Sequence, residues 1–164
     1  MMSPAIRKFA LTAHVATSVG WLGAVATFLA LAIAGLTSSS PPIVRAAYLA
    51  MNVTGWSVIV PLCLASFVTG LVQALATPWG LLRHYWVVVK LIITVIATVL
   101  LLVHMRPISL MAEVAEATPS SLAGVRPMRM QVVADAGAAL AALVLATALS
   151  VYKPSGRTGF ATKP

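Results

Sequence analysis

The chain is short of charge, and of acidic charge above all. Only 9% of its 164 residues are charged, and just three, Glu113, Glu116 and Asp135, are acidic. A soluble domain is about one-quarter charged, so this sequence has too little polar surface to face water. A disordered tail is excluded on the same ground. Its single cysteine, Cys63, lies inside an apolar run. It has no partner for an internal disulfide, which excludes a disulfide-held scaffold. Aromatic residues are also sparse, and no basic stripe is interleaved with them, so the formal charge of +8 does not mark a nucleic-acid surface. Nucleic acid is not an expected partner. A nucleophile triad, a phosphate-cradling glycine loop and a paired-carboxylate site are all missing, which argues against hydrolases and nucleotide-driven enzymes.

What the sequence has in excess is apolar length. Hydrophobic residues make up 60% of the chain and the mean hydropathy is +0.99. Four stretches reach the roughly 20 residues that cross a bilayer, at about 9–36, 53–75, 82–105 and 130–151. The first follows Arg7 and Lys8 and ends in Ala32-Ile33-Ala34, as a signal peptide would. It is about twice the 7–15 residues of a signal core, so it reads as a retained span. The expected fold is an all-α, integral membrane, up-down-up-down four-helix bundle occupying residues 1–152 as one domain, with a polar, mobile tail over 153–164.

Connections follow from breakers and polar clusters. Ser38-Ser39-Ser40-Pro41-Pro42 ends the first helix. Ile43 to Met51 reads as a short interfacial helix anchored by Arg45 and Tyr48, and Pro61 is expected to kink the second span. Thr77-Pro78-Trp79-Gly80 is a tight turn. Residues 106–129 form an outer loop in which Ile108 to Ala117 is a short helix on the interface, with Leu110, Met111 and Val114 on one face. Arg7, Lys8, Arg83, Lys153, Arg157 and Lys163 fall on one side of the membrane; Arg45, Arg106, Arg126 and Arg129 fall on the other. That bias puts both termini in the cytoplasm. The expected location is the plasma membrane, as a multi-pass protein with the lipid bilayer as its first partner.

An ionisable group inside a span is costly unless it faces a partner or a cavity, so each is a candidate site residue. His14 and Trp21 share a face of the first helix with Ser18 between them. Lys90 lies about eight residues into the third span, and Arg83 and His84 stand at its cytoplasmic edge. Ser66, Thr69, Gly70 and Gln73 form a polar, small-residue face on the second span. His104 and Asp135 make an outer-side polar pair at matching depth. A neutral imidazole is a standard axial ligand, so this set points to heme b between the helices. His14 is the first ligand, His84 the candidate second ligand or metal partner, Trp21 the packing group, and Lys90 and Arg83 the propionate partners. Two rivals stand beside it. One is a cofactor-free accessory or structural subunit, homo-oligomeric or part of a larger membrane complex. The other is a copper, metal-homeostasis or transport protein using His104 and Asp135 as a gate or proton relay, with Met105, Met111, Met128 and Met130 nearby.

The run His14-Val15-Ala16-Thr17-Ser18-Val19-Gly20-Trp21-Leu22-Gly23 resembles the opening of copper-resistance protein D and of the membrane protoporphyrinogen oxidase of the cytochrome type. Lys90-Leu91 with His104 is similar to a Lys-Leu pair and downstream histidine of the oxidase family, although Val88 stands where that family has a further histidine. The resemblance implies heme or copper chemistry in the bundle, with a quinone or porphyrin as reaction partner. Over most of its length the chain also resembles a group of uncharacterised four-helix integral membrane proteins. Thr69-Gly70-Leu71-Val72-Gln73, Thr77-Pro78-Trp79-Gly80-Leu81, Arg83-His84-Tyr85-Trp86 and Ser150-Val151-Tyr152-Lys153-Pro154 carry that likeness, which implies four spans and no particular activity.

Overall fold

The structure is a computed structural model that describes residues 3–76, 80–117, 124–156 and 158. The turn residues Thr77, Pro78 and Trp79, the middle of the outer loop at 118–123, and Arg157 and Lys163 lie outside the described residues. Within them the chain is all-α, with four helical stretches long and apolar enough to cross a membrane.

Helix α1 spans Pro4–Thr37 and begins five residues before the expected Phe9. Local chemistry explains the earlier start. Ser3 caps the helix by accepting from the Ile6 N–H at 3.4 Å, and Pro4 sits in the first turn, where its missing N–H costs nothing. At the other end Pro41 forces Ser40 into extended backbone, so α1 cannot run on into α2, Pro41–Thr54.

Helix α2, a π segment over Gly55–Ile59 and α3, Val60–Ala76, form one unbroken helical stretch of 36 residues. The sequence reading separates an interfacial turn from a span kinked at Pro61. The structure instead widens the turn just before that proline, with the Val60 N–H reaching back to the Gly55 carbonyl. Pro61 has no N–H for the Ser57 carbonyl, and a π turn is one way a helix absorbs such a gap.

Helix α4 covers Tyr85–Ala117 and passes through Pro107 without ending. No separate short helix begins at Ile108, because that segment continues α4. Met105, Ile108, Met111, Ala112 and Ala115 are buried along one stripe, while Leu110 is exposed. The stripe packs on α2, whose buried residues Val44, Ala47, Tyr48 and Met51 repeat at helical spacing. Tyr48 is therefore no interfacial anchor: it is 1% exposed. At about 1.5 Å per residue the 36-residue and 33-residue stretches are near 50 Å long. They outrun a hydrocarbon core of roughly 30 Å, and the surplus lengths pack on each other.

Helix α5 spans Arg126–Tyr152 and closes on Lys153 in the left-handed region, whose N–H returns to the Leu149 carbonyl. Cross-helix contacts fix the topology. Gly35 meets Tyr48 and His14 meets Thr69, so α1 runs antiparallel to the α2–α3 stretch. Asn52 meets Ser109 and Cys63 meets Thr98, which turns α4 the other way. Lys90 meets Ser150 and His104 meets Asp135, which reverses α5 again. One end of the bundle holds the start of α1 and the end of α5. The far end holds the best-packed part of the core, where Tyr48, Met51, Met105 and Met111 are fully buried.

The start of the tail is held in place. Thr158 is buried; its N–H donates to the Arg83 carbonyl at 3.0 Å and its hydroxyl donates to the Leu82 carbonyl, while the Tyr85 N–H reaches the Gly156 carbonyl at 3.4 Å. Of the tail expected to be mobile, Gly156 and Thr158 close on the turn before α4.

Candidate functional site

The termini half of the bundle contains a polar seam between α1 and α3. Thr69 donates its hydroxyl hydrogen to the Ala65 carbonyl at 2.6 Å, leaving its oxygen free to accept. That oxygen lies 3.1 Å from His14 Nδ1, so Nδ1 carries the hydrogen and Nε2 the lone pair. One turn further along, Ser18 Oγ and Ser66 Oγ are 2.8 Å apart. Gly70 allows this close approach, since a Cβ there would stand 3.0 Å from His14 Cε1. Gln73 lies on the same helix, and its Nε2 is buried without a hydrogen-bond partner.

Lys90 crosses to α5, where its ammonium donates to Ser150 Oγ at 2.7 Å. Because α4 begins at Tyr85, Lys90 stands in the second helical turn, shallower than the eight residues expected. Trp21 is buried in the apolar core with Val25 and Phe28. Arg83 is exposed, its stem lying over Gly80, which adopts φ +63 in the turn. His84 belongs to the same turn, and its carbonyl receives the Val87 and Val88 N–H groups. At the opposite end His104 Nε2 is 3.0 Å from Asp135 Oδ2, and its Nδ1 donates to the Leu100 carbonyl at 2.7 Å.

The structure thus brings together His14 with the Ser66–Thr69–Gly70 face, Lys90 with Ser150, and His104 with Asp135. It places the three histidines at three levels: in the α1–α3 seam, in the turn before α4, and at the far end. A heme with two imidazole ligands does not fit that arrangement. Thr69 orients the His14 ring through Nδ1, which leaves Nε2 as its lone-pair atom. Among the described residues no three His, Cys, Asp or Glu side chains gather as a metal-binding group.

Sequence reasoning missed Ser150 and Arg129. Ser150 gives no periodic signal, being one hydroxyl in an alanine-rich helix. Arg129 reads as a topology-setting charge, yet its Nε donates to Tyr48 Oη at 3.0 Å and its Nη2 to the Gly35 carbonyl. It thereby closes the C-terminal end of α1, where the helix dipole favours a cation. Comparison with protein-family models, characterised proteins and solved structures finds no match to this chain, so its reading rests on the geometry above.

Proposed function

We propose that the chain is a multi-pass plasma-membrane protein with both termini in the cytoplasm, acting as a cofactor-free accessory subunit, in a homo-oligomer or a larger membrane complex. One observation carries this reading: four pairs of polar side chains answer one another across helix seams. His14 meets Thr69, Ser18 meets Ser66, Cys63 meets Thr98 and Lys90 meets Ser150. Groups matched in this way join helices, as polar side chains do within a bilayer.

A second reading is favoured by the orientation of His14. With Nδ1–H held by Thr69, Nε2 presents a lone pair, the arrangement that prepares an axial heme ligand. In that reading the protein is a small heme-b redox or heme-handling protein serving a quinone or porphyrin. Bound heme would supply electron transfer; His14 and Thr69 orient the ligand, and Lys90 supplies positive charge in the same half of the bundle.

An absorption spectrum of the protein purified in mild detergent separates the two. The accessory reading expects no Soret band and co-purification with a larger assembly or with further copies. A Soret band with a reduced-minus-oxidised α band, both lost in a folded His14→Ala variant, establishes the heme reading and overturns the first.

A further inference from the structure

We infer that, on the membrane-spanning reading above, the bundle end formed by the start of α1 and the end of α5 is a binding surface for anionic phospholipids. Its cations take headgroup phosphates that carry no compensating ammonium group.

Charge separates the two ends. The chain has three acidic side chains, and all lie toward the far end: Glu113 and Glu116 in the last turns of α4, and Asp135 in the first half of α5. They stand in the half that holds Arg45, Arg106, Arg126 and Arg129, and Arg129 is turned inward onto Tyr48 and the Gly35 carbonyl. The near end has no acidic side chain. Arg7 and Lys8 come from the start of α1, Arg83 from the turn before α4 and Lys153 from the cap of α5, and all four are exposed. Tertiary structure gathers them. Just past Lys153, the Gly156 carbonyl accepts from the Tyr85 N–H and Thr158 donates to the Leu82 and Arg83 carbonyls, which holds the end of α5 beside the Arg83 turn. Each Lys or Arg held near an anionic membrane surface favours association about fivefold.

The neighbours of these cations point to lipid as the occupant. Phe9 follows Lys8, Tyr85 lies two residues after Arg83 and Tyr152 precedes Lys153, and all three rings are exposed. Every one of the four cations therefore stands within two residues of an exposed ring. Amphipathic rings settle at the level of the headgroups, and long basic side chains reach outward from helix ends to the same level. A phospholipid offers phosphate to the cation and acyl chain to the ring at once. A soluble acidic partner offers only the first and leaves the rings without an apolar neighbour.

The test uses full-length protein reconstituted in vesicles of equal parts phosphatidylcholine and phosphatidylglycerol. Spin-labelled phosphatidylglycerol or spin-labelled phosphatidylcholine is the probe, and the motionally restricted fraction of each reports lipid held at the protein. Wild type is expected to hold the phosphatidylglycerol label at least about threefold more strongly at low salt. Most of that preference is lost between about 0.05 and about 0.5 M salt, where the reach of exposed charge shrinks about threefold. Arg7→Gln, Lys8→Gln, Arg83→Gln and Lys153→Gln combined remove the preference, while Arg45→Gln with Arg106→Gln keeps most of it. Circular dichroism checks the helices of both variants. Equal retention of the two labels by wild type overturns the proposal and leaves this end to a soluble acidic partner. A wild-type preference that salt does not weaken overturns it too, whatever the variants do. So does a folded four-site variant that keeps the preference, or a folded far-end variant that loses it. Protein that fails to float with the vesicles on a density gradient overturns the membrane-spanning reading itself, and the lipid surface with it.

Discussion

Gly35 of α1 lies flat against the ring of Tyr48 of α2: a Cβ on Gly35 would stand 3.0 Å from Cζ and 3.2 Å from the phenolic oxygen. The ring is 1% exposed and its hydroxyl is held by Arg129, so it has little room to retreat. Gly35→Ala is expected to destabilise the bundle by about 1–2 kcal/mol: overpacking costs roughly 1–3 kcal/mol and the gain in helix propensity returns up to about 1. Thermal or denaturant unfolding in detergent measures it, and a variant as stable as wild type contradicts the packing.

Arg129 is expected to matter through the groups it leaves behind. Arg129→Met strips a donor from the Gly35 and Leu36 carbonyls and from the Tyr48 hydroxyl, for a loss of about 1–3 kcal/mol. Arg129→Lys restores the charge but not the fork that reaches two helices at once, so it recovers only part of the loss. Tyr48→Phe combined with Arg129→Met should cost less than the sum of the two single changes. Strict additivity would mean that the hydrogen bond contributes nothing.

Thr69→Val removes the acceptor facing His14 Nδ1–H while keeping the shape of the side chain. Polar pairs between membrane helices contribute about 0.6 kcal/mol on average, and at most about 1.7, so a loss within that range is expected. In a His14→Ala background Thr69→Val should cost little more. A full second loss there would mean that Thr69 stabilises the bundle through something other than this ring.

Ending the chain after Lys153 removes the partners of the Leu82 and Arg83 carbonyls and of the Tyr85 N–H. The four long helices should persist, with unchanged helicity by circular dichroism. Trypsin should cleave after Arg83 several-fold faster, because protection of a turn follows the free energy of opening it locally. Equal cleavage rates in the full and truncated chains would show that the strap does not hold this turn.

Composition and periodicity alone determined the four apolar helices and the residues that ought not to face lipid. Hydrophobic length and the cost of buried charge are properties of the chain, whatever its neighbours. The polar faces of α1 and α3 were each legible, since helical spacing places His14 with Ser18 and Ser66 with Thr69, but that the two faces meet came only from the packing. Where helices end was less legible. Pro107 and the polar residues after it looked like a boundary, yet Met105, Ile108, Met111 and Ala115 found a complementary stripe on α2, and burial outweighed the breaker. Tyr48 reads locally as an interfacial anchor and Arg129 as a topology-setting charge, and tertiary packing reassigned both. A cation and a phenol are satisfied wherever a carbonyl, a ring and a helix end converge. That convergence joins residues as far apart in sequence as Gly35 and Arg129, so no local pattern can encode it.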